Sequence, residues 1–223
     1  MSLLKLHPEY KPFVGEYYND SQKTPIKILF IGESHYLPPQ YNIDYSEWYN
    51  NDTEWFKKKY KIEEKHLSWI NTSKIIEEDV IKGIPARAHF IYTQIGDIYG
   101  NIFLDNKCYK EALKYIAFSN FFVRPSKGDF LKKDVLVSLD NLLDNITNLN
   151  PDKIIFITKK AYKEGFKKYS IKEQKYLCLP SKITTAICHT RFYEWELGYD
   201  KCNQPVGKQK LIDTLISIKE KRI

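Results

Sequence analysis

The chain lacks closely paired cysteines. Its four cysteines are Cys108, Cys178, Cys188 and Cys202, and none forms a Cys-x-x-Cys pair. That spacing is what zinc ribbons and thiol redox motifs use, so its absence argues against either. Cys178 and Cys188 sit in apolar, strand-like contexts and read as reduced core residues, which fits a cytoplasmic protein. Also lacking is a run of eighteen apolar residues, so no membrane span is expected. The first residues hold no basic stretch leading into a long apolar one, so no secretory signal is expected. No internal repeat, low-complexity tract or linker breaks the chain. Its 223 residues suit one domain, 1–223, able to bury a core without covalent staples.

Basic charge, by contrast, is plentiful. The formal net charge is +7, and a basic excess attracts polyanions, nucleic acid among them. Eight lysines lie from Lys159 to Lys182, against Glu164 and Glu173 alone. Lys57, Lys58, Lys59, Lys61 and Lys65 form a second cluster. Either cluster also reads as a solvated lysine-rich surface.

The most informative stretch is Ile26 to Tyr36. Ile26, Ile28, Leu29, Phe30 and Ile31 form an apolar run broken only by Lys27. Such a short run, mostly β-branched or aromatic, predicts a strand buried on both faces. Gly32 permits a tight turn. An acid, a hydroxyl, an imidazole and a phenol follow directly as Glu33, Ser34, His35 and Tyr36. In open α/β sheets, ligands bind outside the carboxyl ends of strands, where this group would sit.

The rest of the chain alternates strand and helix patterns. Residues 1–25 read as a short helix or irregular lead-in. Pro38 and Pro39 forbid an immediate helix after the Glu33 loop. Beyond them Tyr41, Tyr45, Trp48, Tyr49, Trp55, Phe56 and Tyr60 suggest a helical insertion over the strand ends, spanning 37–85, with packing the commoner use of its aromatics. Ile75, Ile76, Val80 and Ile84 follow helical spacing, ended by Gly83 and Pro85. A helix over 86–99, a short one over 108–114 and a strand over 115–119 come next. Leu131, Val135, Leu139, Leu142, Leu143, Ile146 and Leu149 give the best amphipathic helix, stopped by Asn150 and Pro151. Strands over 153–158 and 183–188, a short strand over 176–179, and helices over 161–169 and 211–216 complete the pattern. Alternation of this kind predicts a three-layer α/β/α domain with a central, mostly parallel four-stranded sheet.

In a parallel sheet all carboxyl ends share one edge, so Glu33, Asn120 and His189 converge there. A carboxylate orients water or offsets positive charge. A carboxamide carries donor and acceptor together and can read a base edge in a bidentate way. A histidine donates to an oxygen gaining charge as a bond breaks.

These residues, in this order, resemble the uracil-DNA glycosylase superfamily, from about Ile26 to just past His189. There the first strand ends in a Gly-Gln-Asp-Pro-Tyr or Gly-Glu-Ala-Pro-Gly type motif, and here in Gly32-Glu33-Ser34-His35-Tyr36. A middle strand ends in a base-reading Asn followed by apolar residues and a Pro, matched by Asn120-Phe121-Phe122-Val123-Arg124-Pro125. A Pro opens the next buried strand, which ends in Gly-x-x-Ala; here Pro151 precedes Ile154 to Ile157 and Thr158-Lys159-Lys160-Ala161. The last strand ends in a His-Pro-Ser type motif, and here in His189-Thr190-Arg191. The departures are His35 for the first-motif Pro, Thr158 for the Gly, Thr190 for the Pro, and Ser34 where one branch has its water-activating Asp. The cluster-binding cysteines of the Gly-Glu-Ala-Pro-Gly branch have no counterparts. The likeness is to fold and site layout rather than to any one branch.

The resemblance implies excision of a flipped, uracil-like damaged base from single- or double-stranded DNA. Glu33 would position water and favour the sugar cation, and His189 would stabilise the departing base; these are the catalytic pair. Asn120 would bind the base edge, with Ser34, His35 and Tyr36 lining the pocket and Tyr36 limiting substituents at C5. Lys159 and Arg191 would contact phosphate, and among Phe192, Tyr193 and Trp195 the position of Tyr193 best matches the wedge that fills the vacated stack. No metal or other cofactor is implied, and a monomer is expected. Three rivals stand beside this reading. One is a catalytically inactive nucleic-acid or nucleotide binding module on the same fold. Another is an esterase using Ser34, although Ala186 occupies the position where that family places an Asp. The third is an interaction protein in which the three residues do not converge.

Overall fold

The computed structural model describes residues 6–84, 86, 89–125, 130–158, 160–167, 183–186 and 207–221. Five strands build one sheet: β1 (Phe13–Val14), β2 (Ile28–Gly32), β3 (Ala117–Asn120), β4 (Lys153–Phe156) and β5 (Ile183–Ala186). Four longer helices are α1 (Thr53–Tyr60), α2 (Phe90–Phe103), α3 (Lys132–Leu149) and α4 (Gly207–Glu220). The spatial order of strands is β1-β3-β2-β4-β5. β3, β2, β4 and β5 run parallel, and β1 pairs antiparallel with β3 through Phe13↔Phe118.

The four parallel strands agree with the sequence pattern. The fifth corrects it: the lead-in contributes β1, a two-residue edge strand that a periodicity argument is too coarse to detect. It covers the outer edge of β3, and Gly15 N–H extends the contact by donating to Ile116 C=O. An edge so short leaves little unpaired backbone for another chain to template on.

β2 is buried along its whole length. Its side chains alternate between two cores, as the strand period requires. Ile28 and Phe30 join Phe118, Ile155 and residues of α2 and α4 on one face. Leu29 and Ile31 join Ala117, Ile154, Phe156 and residues of α3 on the other. Helices therefore cover both faces of the sheet. Each apolar side chain buried this way contributes about 1.5–3 kcal/mol.

α3 shows how its sequence sets its ends. Val135, Leu139, Leu142, Ile146 and Leu149 form its buried stripe. The Asp134 carboxylate accepts the Leu131 N–H at 2.7 Å, which satisfies a donor at the helix start. Asn150 takes a left-handed conformation at φ 41°, and Pro151 follows to prevent continuation. The predicted helix through Ile75 and Val80 is instead a short α-turn at Thr72–Lys74 running into a π-helical Ile75–Val80. The helix predicted from residue 86 begins at Phe90. The helix over 161–169 is a π-helical Ala161–Lys167. The predicted strand over 176–179 lies outside the described residues, as do Cys178, Cys188 and Cys202.

The segment after the Glu33 loop has a core of its own. Leu37, Trp48, Phe56, Ile62, Leu67 and Ile70 pack with Tyr10 and Val123. Trp48 and Phe56 are completely buried. His7 lies parallel to the Trp48 ring, 4.3 Å between centroids, and its Nε2 meets Trp48 C=O at 2.8 Å. Most aromatics of the insertion therefore serve packing.

Candidate functional site at the strand carboxyl ends

From β2 the chain passes to β3 on one side. From β3 it crosses back over β2 to β4 and then β5 on the other. The direction of winding reverses between β2 and β4, which is where open α/β sheets form a ligand crevice. The loop that begins at Glu33 leaves the sheet at this point.

Backbone contacts hold the end of β3 against this loop. Phe121 N–H donates to Gly32 C=O at 3.1 Å, and Phe122 N–H donates to Glu33 C=O at 2.8 Å. On the other side Ile157 N–H donates to Ile31 C=O at 2.9 Å. Gly32 faces Asn120 across the ladder. A Cβ at Gly32 would stand 2.3 Å from Asn120 Oδ1 and 2.9 Å from the Phe118 ring. Glycine is required here because the Asn120 carboxamide lies across it.

His35 ties three segments together. It is 5% exposed. Its Nδ1 lies 3.1 Å from Trp69 C=O. A carbonyl can only accept, so Nδ1 carries the proton. Its Nε2 lies 3.1 Å from Asn120 Nδ2 and 3.3 Å from Thr72 Oγ1. Burial pushes the His35 imidazolium down from an ordinary 6.5 to about 4, against an opposing contribution from the Trp69 hydrogen bond, so the ring is neutral near pH 7. The Asn120 amide nitrogen also lies 3.5 Å from Nδ1, so the amide sits over the imidazole face between its two nitrogens.

Glu33, Ser34 and Tyr36 form the outer part of the site. Glu33 is half-buried and Ser34 buried. Tyr36 is 44% exposed, yet its hydroxyl end is desolvated. Burial raises its phenol above the ordinary range, the Glu33 charge adds to this, and a hydrogen bond with Ser34 opposes it. Tyr36 therefore interacts with both Glu33 and Ser34, while His35 and Asn120 make the inner pair. Trp69 is the other large aromatic left exposed here, at 48%. Its carbonyl holds His35, and its ring meets His66 edge-on at 4.8 Å.

Behind Asn120, the loop is fixed by a buried ion pair. Arg124 donates through Nε to Asp134 Oδ1 at 2.9 Å and through Nη2 to Oδ2 at 2.8 Å. The Tyr49 hydroxyl also donates to Asp134. Burial alone would raise the Asp134 carboxyl, but hydrogen bonds from Arg124, Tyr49 and Leu131 N–H outweigh it and hold it below the usual range. The Arg124 guanidinium also faces the Tyr45 ring at 5.4 Å.

No protein-family model, curated protein or solved structure matches this chain. The site therefore rests on its own geometry. The structure brings Glu33, Ser34, His35, Tyr36 and Asn120 to one edge. His189, Lys159, Arg191, Phe192 and Tyr193 lie outside the described residues. The parallel pairing of β5 with β4 directs the carboxyl end of β5 to the same edge. Among the described residues no group of three or more His, Cys, Asp and Glu is placed to hold a metal ion, and no helix is long and apolar enough to cross a membrane.

Thr72, Trp69 and the Arg124–Asp134 pair were not foreseen from sequence. Thr72 and Trp69 belong to the insertion and reach His35 only through tertiary folding. Asp134 offered one local signal, an acid in the first turn of α3. The second lysine cluster is partly neutralised: Lys57 pairs with Glu64 at 2.5 Å and Lys65 with Glu63 at 2.7 Å. A separate cleft near the start of α1 is lined by Glu9, Asp52, Glu54, Glu64 and Lys74 and contains none of the strand-end residues.

Proposed function

We propose that this chain is a DNA base-excision glycosylase on a uracil-DNA glycosylase-like fold, hydrolysing the N-glycosidic bond of a flipped, damaged base. The observation that carries the reading is the juxtaposition of the Gly32–Glu33 turn with Asn120, fastened by the Phe122 N–H to Glu33 C=O bond. It fastens the Glu33 backbone to the segment that follows Asn120 at the strand ends, the order in which the motifs run. Glu33 is the group that positions water and favours the sugar cation, whose character is that of glycoside hydrolysis. His189 is the group that stabilises the departing base. Tyr36 and Trp69 supply exposed aromatic surface beside the site, suited to unstacked bases.

The test is incubation with labelled oligonucleotides carrying uracil, hypoxanthine or xanthine, single-stranded and paired, followed by alkaline cleavage at abasic sites. The expected result is strand cleavage that is lost in Glu33→Ala and His189→Ala. Salt-sensitive DNA binding without cleavage would instead support an inactive binding module. That second reading is favoured by one observation: the Asn120 amide is already packed against the His35 ring.

A further inference from the structure

We infer that the insertion carries a fixed stacking platform, the Trp69 ring braced by His66 and Tyr41, and that the strand it receives is single-stranded DNA in preference to duplex. This rests on the reading of the strand-end site as a DNA base pocket and names the form of DNA that reaches it.

Among the described residues five large apolar side chains are exposed, and the two aromatic ones, Tyr36 and Trp69, both adjoin His35. Tyr36 follows it in the chain, and Trp69 C=O lies 3.1 Å from its Nδ1. Trp69 is not a loose surface ring. It sits in a 3-10 turn, Ser68–Ile70, anchored by the buried side chains of Leu67 and Ile70. Its ring meets His66 at 4.8 Å and 74°. His66 is held in turn by the Tyr41 hydroxyl, 2.6 Å from Nδ1, and that hydroxyl accepts Glu63 N–H at 3.2 Å. A ring held this way loses little freedom when a base stacks on it. An edge-on neighbour covers at most one face of the indole, and Trp69 stays 48% exposed beside it.

The charge of the same segment suits a phosphate backbone. From Lys57 to His66 five lysines stand against Glu63 and Glu64. Both acids are paired, with Lys65 and Lys57. Lys58 and Lys61 are exposed and form no ion pair among the described residues. A base in a duplex has both faces occupied by its neighbours, and freeing one costs unpairing and unstacking. A single strand offers its faces without that cost. One stacked base then amounts to about tenfold in affinity.

The experiment measures binding of undamaged oligothymidylate, alone and paired with oligodeoxyadenylate, to the full chain at one fixed low salt concentration. Anisotropy of a labelled strand gives affinity, and tryptophan emission is followed with unlabelled strands. The single strand is expected to bind about tenfold more tightly than the duplex and to quench tryptophan emission. In Trp69→Leu, which keeps bulk without a π-face, the preference and most of the quenching are expected to disappear. In Trp69→Phe the preference is expected to survive while most of the quenching goes. Tyr41→Phe, which removes the hydroxyl holding His66, is expected to weaken single-strand binding by less than Trp69→Leu does. No binding of the single strand, equal affinity for the two forms, or a preference and quenching that persist in Trp69→Leu would each overturn the inference. Its failure is separable from that of the glycosylase reading. Base release from duplex by a chain that binds single strands no more tightly would keep the enzyme and remove this inference. A Trp69-dependent preference for single strands without release of any damaged base would do the reverse.

Discussion

Arg124 and Asp134 form a two-pronged ion pair with both side chains almost wholly buried, 5% and 2% exposed. The pair joins the loop after Asn120 to the first turn of α3. Removing one partner of such a pair costs about 3–5 kcal/mol, because the other charge is left in the interior. The two removals are not equivalent. In Arg124→Met, Asp134 can take up a proton and still receives Tyr49 and Leu131 N–H. In Asp134→Leu, Arg124 cannot lose its proton, and four donor groups, Arg124 Nε and Nη2, the Tyr49 hydroxyl and Leu131 N–H, lose their acceptor. Urea denaturation is expected to show the larger loss for Asp134→Leu.

The folded His35 holds its proton less tightly than the unfolded one, with a pKa of about 4 against 6.5. Between these values the unfolded chain binds more protons, so stability rises with pH through this window and levels off above it. The full effect is about 3 kcal/mol. Unfolding midpoints measured from pH 4 to 7 are expected to climb in the parent chain and to climb less in His35→Gln. Identical slopes would mean that His35 is not buried and neutral.

Gly32→Ala would drive a methyl group into Asn120 Oδ1 and the Phe118 ring. Overpacking of this kind costs about 1–3 kcal/mol. The larger consequence falls on the site, because Asn120 must leave His35 to make room. Loss of base recognition well beyond the stability loss is expected, read as ligand affinity under conditions where circular dichroism shows the variant folded.

Trp69→Ala removes an exposed ring but leaves the carbonyl that holds His35. Stability is expected to change by less than about 0.5 kcal/mol. Affinity for single-stranded DNA, measured by fluorescence anisotropy, is expected to fall by about 1–3 kcal/mol if the ring stacks on a base. Unchanged affinity would confine Trp69 to a main-chain role.

The sheet was largely legible because its signals are local. The Ile26–Ile31 run and the Leu131–Leu149 stripe each carry their own periodicity, and both became the elements expected of them. Gly32, Glu33 and Asn120 were legible as strand-end residues for the same reason. β1 escaped because two residues have no period. The commitment of Asn120 to His35 escaped because it depends on Trp69 and Thr72, some fifty residues before it in the chain and brought to it only by the packing of the insertion.

That packing has a thermodynamic corollary. The aromatic core around Trp48 and Phe56 is distinct from the two cores that flank the sheet, and distinct cores open as separate cooperative units. If the insertion opens first, β2, β3 and β4 keep their ladder while His35 is cut off from Trp69, and the Asn120 amide becomes free to rotate. The chain would then pass through a state with an intact sheet and an unfastened Glu33–His35 loop, so that the arrangement at the strand ends is lost at a lower temperature than the fold.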